Sequence, residues 1–216
     1  MSTALAILRP ARHLAWVALG AACVAASACS NSSPQSPDGF VAATMGVGPM
    51  SPSTVCNFGT VTPWLTIGTA TGGKPTTVQD GSQNAGATVN VTCTVSAVGG
   101  GFDVVLNIVQ QGPEGGSITL SSPKGQGAVT ASGGTVSGSF GSASLGDYSS
   151  DNCTISYTYQ GSTVPDSPPI AAGRIWGHVD CPAAQNSSST VMSPDGGYEP
   201  RQCDGAADFL FEQCGQ

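Results

Sequence analysis

Charge is scarce in this chain of 216 residues, where Asp, Glu, Lys and Arg together make up 9%. Positive charge is scarcer still: beyond Arg9 and Arg12 only Lys74, Lys124, Arg174 and Arg201 remain, against 13 acidic residues. A chain so poor in cations offers no footprint for a phosphate backbone, which excludes nucleic-acid binding. Long apolar runs are missing too. The longest stretch of that kind, Leu14 to Val24, has 11 residues, short of the ~20 needed to span a bilayer. No window carries a convincing helical period, and no repeat recurs at fixed spacing, which argues against a solenoid or propeller.

The motifs of common chemistries are absent as well. There is no Gly-x-Ser-x-Gly elbow, and after His13 the chain has one histidine, His178, so a Ser-His-Asp hydrolase has little to build on. Gly72-Gly73-Lys74 is followed by Pro75, which removes a backbone donor that a phosphate-binding loop requires. No Cys-x-x-Cys pair suggests zinc. A glycosidase needs two facing carboxylates, and the spacing of Asp103, Asp147, Asp151, Asp180, Asp204, Asp208 and Glu212 does not tell which of them meet. These readings predict a protein that is not an enzyme and carries no metal or cofactor.

What is present is a β pattern. Ala87, Val89, Val91, Cys93 and Val95 alternate with Thr88, Asn90, Thr92 and Thr94, the signature of a strand with one buried and one wet face. Phe102 to Ile108, Ile118 with Leu120, Cys153 to Tyr159, Arg174 to Cys181 and Phe209 with Phe211 repeat the theme. Turn clusters such as Gly112-Pro113-Glu114-Gly115-Gly116 separate them. Eight or nine short strands predict an antiparallel β-sandwich, of jelly-roll or immunoglobulin-like order, over residues 55–216. Trp64, Tyr157 and Tyr159 read as core, both tyrosines sharing the face of Ile155.

The N-terminus reads as an export leader over residues 1–28, with Arg9, Arg12 and His13 before the apolar stretch and Ala26-Ser27-Ala28 at its end. The cut then falls before Cys29, which is a candidate lipid-attachment site, although Ala26 stands where a large aliphatic is usual. Cysteine arithmetic favours the lipid. Of eight cysteines, Cys23 leaves with the leader and Cys29 carries acyl chains, so Cys56, Cys93, Cys153, Cys181, Cys203 and Cys214 remain, an even set able to form three disulfides. Alternation turns Cys93, Cys153 and Cys181 inward, which suggests a bridge between facing strands, while Cys203 and Cys214 flank the last strand. The connectivity stays open. Residues 29–54, rich in Ser, Pro, Gly and Ala, read as a flexible tether; the competing reading packs Phe40 to Met50 onto the domain.

One stretch offers a candidate site. Alternation puts Arg174, Trp176, His178 and Asp180 on one strand face, where a row of this kind is able to stack a sugar on the indole and bond its hydroxyls. The blander alternative makes Trp176 core, His178 a satisfied strand histidine, and Arg174 and Asp180 members of ion pairs. A weaker candidate is Ser193 to Glu199 with Asp204, where carboxylates and turn carbonyls suit calcium, but Asp-Gly is first a turn signature.

The leader, the Ser/Pro segment, Pro63-Trp64 after Cys56, Gly173 to Cys181 and the ending Phe209-Leu210-Phe211-Glu212-Gln213-Cys214 together resemble bacterial surface lipoproteins of no assigned activity. The resemblance implies an envelope location and disulfides, and it carries over no catalytic residue. Since Ser30 rather than Asp follows Cys29, the outer membrane is the expected address. The expectation is a lipid-anchored structural or binding module that touches the membrane through its anchor and a surface glycan or envelope protein through its fold. A carbohydrate-binding face at Arg174, Trp176 and His178 is the alternative, and a glycan hydrolase the third reading.

Overall fold

The computed structural model describes residues 35–56, 58, 61–192 and 195–216. The leader over 1–28 and Cys29 lie outside the described residues. Within them every regular element is a strand, as the period-2 pattern and the shortage of good helix formers require. In chain order these are β1 (Asp38–Gly46), β2 (Thr62–Ile67), β3 (Val78–Gln79), β4 (Gln83–Asn84), β5 (Ala87–Val98), β6 (Gly101–Gln110), β7 (Gly116–Ser121) and β8 (Val129–Thr130). There follow β9 (Gly133–Ser142), β10 (Gly146–Ser156), β11 (Thr158–Tyr159), β12 (Ser162–Thr163), β13 (Ile170–Ala171), β14 (Arg174–Met192) and β15 (Tyr198–Glu212).

The main path of hydrogen-bonded neighbours is β2-β1-β15-β14-β10-β9-β7-β6-β5-β4, antiparallel throughout. It runs mostly as a meander, and its most chain-distant pairing joins the first strand to the last, Asp38↔Glu212 through Gly46↔Asp204. The β5–β6 turn shows why the chain reverses where it does. Val98 pairs with Gly101, and between them Gly99 and Gly100 stand at φ 58° and 92°, the two left-handed positions that a type I′ hairpin demands.

The long sheet folds back so that its layers share one core. A Cβ added to Gly39 of β1 would lie 2.9 Å from Ile108 Cδ1 on β6 and 3.3 Å from Val91 on β5, so the β1 layer packs face to face on the β5–β6 layer. Val41, Ala43 and Met45 from one side meet Val91, Leu106 and Ile108 from the other in a single buried cluster, the antiparallel sandwich expected from the strand pattern. The path's two ends meet through Asn84, whose Nδ2 donates to Thr66 O at 3.1 Å and whose Oδ1 accepts from Gly68 N at 3.2 Å.

The tether boundary requires correction. Residues 29–54 were expected to link freely, yet from Asp38 the chain is a fully built interior strand bonded to β15 on one side and to β2 and β3 on the other. Phe40, Val41 and Met45 are all buried. The competing reading, Phe40 packed on the domain, is the one realised.

All six cysteines pair, as Cys56–Cys203, Cys93–Cys214 and Cys153–Cys181. Two details differ from expectation. Cys203 lies within β15 rather than beside it, and Cys153–Cys181 joins hydrogen-bonded neighbours, β10 and β14, rather than facing strands. Cys93–Cys214 fastens the C-terminus to β5, where Gly215 N donates to Cys93 O and Val95 N to Gly215 O, each at 2.9 Å. Three disulfides of this kind fit an oxidising, exported environment.

Candidate functional site

Strand register sets out the predicted face row by row. The outer side of β1, β15 and β14 carries four successive cross-strand rows: Asp38, Glu212 and Arg174; Phe40, Leu210 and Trp176; Ala42, Asp208 and His178; Thr44, Ala206 and Asp180. Arg174, Trp176, His178 and Asp180 therefore do share one face, as alternation predicted. They do not form one site, because each row serves a different purpose.

The first row is ionic. Arg174 Nη2 bonds Asp166 Oδ2, Arg174 Nε faces Glu212 Oε1 at 3.2 Å but off the line of a hydrogen bond, and Lys74 Nζ reaches Glu212 Oε2 at 2.7 Å. The second row is a small apolar core of its own. The β11–β12 hairpin lies over it, so that Phe40, Tyr159, Val164, Trp176 and Leu210 enclose one another. Trp176 is 0% exposed, with its ring centroid 5.5 Å from Tyr159, and its buried Nε1 finds no hydrogen-bond partner among the described residues. A buried indole has no face to offer a sugar, so the stacking role assigned to Trp176 is withdrawn. Alternation put the residue on the outer side correctly but said nothing of the hairpin that covers it. The same hairpin separates the tyrosines: Ile155 belongs to the main core, Tyr159 to this second one, and half-buried Tyr157 borders both. Burial pushes the Tyr157 phenol up to about 12.

The third and fourth rows hold His178, the one histidine among the described residues. His178 Nδ1 lies 2.7 Å from Asp208 Oδ1, and Nε2 lies 3.3 Å from Asp180 Oδ1. The hydrogen bond to Asp208 raises the imidazole above its ordinary value, against the opposing effect of burial, and the charges of both carboxylates add to the rise. Asp208 Oδ2 also accepts from Gln160 N, at 3.3 Å, in the hairpin turn. Beside this cluster is a cleft of about 330 Å³ with Ala42, Thr44 and Ala206 among its lining residues and Thr158, Gln160 and Gly161 contributed by the hairpin. Small side chains on β1 and β15 are the reason the cleft exists.

Chemically the cluster is a clasp. When protonated, the imidazole gives one N–H to each carboxylate, and the bond to Asp208 ties β14 to β15. Both ring nitrogens are thus occupied by acceptors, and among the described residues no serine, threonine or cysteine side chain bonds to His178. Asp208 is the partner that sequence reasoning did not connect to His178, since only the register His178↔Asp208 brings positions 30 apart together.

The other predicted sites also resolve. Trp64 is core, donating from Nε1 to Gly141 O at 3.1 Å within a cluster of Phe58 and Tyr148. In the loop considered for calcium, of which Ser193 and Pro194 lie outside the described residues, Asp195 Oδ1 accepts from Gly197 N at 3.1 Å, the Asx-turn that Asp-Gly signals. Asp204 is engaged elsewhere, its Oδ1 accepting from Ser51 Oγ at 2.7 Å and Ala183 N at 3.0 Å. Among the described residues no group of three or more His, Cys, Asp or Glu side chains is placed to hold a metal ion.

No family model matches the chain, and neither the curated proteins nor the solved structures contain a match to it.

Proposed function

We propose that this chain is an exported envelope protein, lipid-anchored through Cys29 at the outer membrane, whose sandwich acts as a structural or binding module and not as an enzyme. The observation that carries the reading is the disulfide set. Six cysteines are consumed in three bridges, so that Cys29 is the one cysteine after the leader outside this set, as an acylated N-terminal cysteine requires. The non-enzymatic part is supported by the surroundings of His178: among the described residues its side-chain partners are Asp208 and Asp180, with no hydroxyl or thiol nucleophile bonded to it.

The fold makes the anchor a short one. Between Cys29 and β1 stand the eight residues Ser30 to Pro37, which even fully extended reach about 28 Å. A lipid on Cys29 would thus join the sandwich through the Asp38 end of β1, the end opposite the β14–β15 hairpin. Several acyl chains on one cysteine give durable attachment, where a single chain would be marginal.

Intact mass of the protein isolated from native membranes tests the reading. A diacylglycerol-type increment on Cys29 is the expected result; a bare Cys29 on a chain recovered from the soluble fraction would remove the anchor from the account.

A further inference from the structure

Where β10 and β14 run side by side, both strands bulge at the same level. Their ladder is interrupted between Ser149↔Gln185 and Thr154↔Asp180. There β10 slips against β9 between Ser150 and Cys153, and β14 slips against β15 between Cys181 and Ala184. The Cys153–Cys181 bridge holds the two bulges together. The result is a hollow of about 370 Å³ walled by hydroxyls, amides and one carboxylate, at the small end of the ~300–1,000 Å³ range of ligand pockets. It lies apart from the His178 cleft and shares no lining residue with it.

Three side chains there are free to act. Asp151, Asn152 and Gln185 are exposed, and among the described residues none of their side chains makes a hydrogen bond within the protein. The backbone around them is fixed instead: Ser150 Oγ donates to Pro182 O at 3.2 Å and accepts from Asn152 N at 3.3 Å. Ala183 stands at φ 51°, the left-handed region, held there by its N–H on Asp204 Oδ1. Paired bulges re-aim side chains out of the sheet, and left-handed strain in a residue with a Cβ persists where surrounding structure enforces it, often at ligand sites.

We propose that this hollow binds one neutral sugar unit through its hydroxyls. Each amide of Asn152 and Gln185 offers a donor and an acceptor, which complements a hydroxyl that is both, and the Asp151 carboxylate accepts from a neighbouring pair of hydroxyls. No cationic side chain lines the hollow, so phosphate, sulfate and uronate groups find no partner. A single carboxylate among neutral hydroxyls and amides supplies little charge to hold calcium. The inference rests on the binding-module reading and names its ligand class.

The experiment is a ¹⁵N NMR titration of the oxidised mature chain with methyl α-mannoside, methyl β-glucoside and N-acetylglucosamine, each to about 100 mM, with calcium chloride as a separate arm. At least one sugar is expected to give saturable shifts at the amides of 149–152 and 183–187, with a Kd of about 1–10 mM. Asn152→Ala and Gln185→Ala, both at exposed positions, should each weaken that affinity about fivefold, one neutral hydrogen bond's worth. No saturation by any of the three sugars, saturation by calcium alone, or affinity unchanged in both variants would overturn the proposal. The envelope reading fails separately, on the mass of Cys29, and a bare Cys29 would leave a positive titration standing.

Discussion

Phe40→Ala is the sharpest test of how the N-terminal segment is used. Phe40 is 0% exposed, sits in register with Leu210 on β15, and meets the Tyr159 ring edge-on with centroids 6.0 Å apart. Truncation removes a phenyl group worth about 2–3 kcal/mol of transfer free energy. The cavity left between the sheet and the β11–β12 hairpin adds about 1–2 kcal/mol, because packed surroundings collapse only in part. The total, about 3–5 kcal/mol, is a large share of the ~5–15 kcal/mol that stabilises a typical domain. At roughly 2–4 °C per kcal/mol for a body of this size, a loss of about 4 kcal/mol lowers Tm by about 8–16 °C. Urea unfolding followed by tryptophan fluorescence gives the free energy, and an unchanged m-value shows that the transition remains global. Met50→Ala serves as control, since Met50 is 64% exposed and should change stability by less than about 0.5 kcal/mol. If Phe40→Ala also costs less than about 1 kcal/mol, β1 is not part of the folded body, and the short anchor falls with it.

Replacing Cys93 and Cys214 together by Ala opens a loop closed over a separation of 121 residues; the chain-entropy relation gives a loss of about 4–5 kcal/mol, and a denaturation midpoint within error of the parent would contradict it. His178 makes stability depend on pH with a definite sign. Its folded value is raised above 6.5, so its contribution is complete below about pH 6.5 and is lost as pH rises through the folded value. Urea midpoints between about pH 5 and 9 should fall through that window in the parent and stay flatter in His178→Gln. Ala183→Gly relieves a left-handed Cβ and should raise stability by about 0.5–1 kcal/mol; a loss in the same assay would mean that Ala183 is not held at positive φ.

Strands whose two faces differ were legible. Cys153 to Ile155 and Val89 to Val95 announce themselves by alternation because one side meets the core and the other meets water. β1 escaped because it is covered on both sides, Val41, Ala43 and Met45 by the opposite layer and Phe40 by the hairpin, so its short apolar run lacks a period and its neighbours are Pro, Ser and Gly. The face of Arg174, Trp176, His178 and Asp180 was legible as a face, and the plainer reading of Trp176 as core, His178 as a satisfied strand histidine and Arg174 and Asp180 as ion-pair members is the one realised; the alternative of a sugar platform fails because what covers Trp176 comes from residues 158–164, a tertiary matter. Strand order was beyond reach for a similar reason. Local pattern does not distinguish a meander closed by β1 on β15 from the crossed orders named for a sandwich with this many strands. Disulfide partners follow from that order: once β10 lies beside β14, Cys153 and Cys181 meet with Cα atoms 4.1 Å apart. The Asn152–Gln185 hollow left only a faint trace, the lapse of alternation at Asp151-Asn152 and at Pro182-Ala183.

The central claim is an exported body locked by three disulfides and tied to a membrane by Cys29. Intact mass of the protein extracted from its native membranes, before and after reduction and alkylation, tests both halves at once. The account predicts a chain beginning at Cys29 with an acyl increment on that residue, no thiol alkylated before reduction, and six alkylated after it at the cysteines paired here. A chain with a free Cys29 thiol, or with any of those six alkylated before reduction, would contradict it.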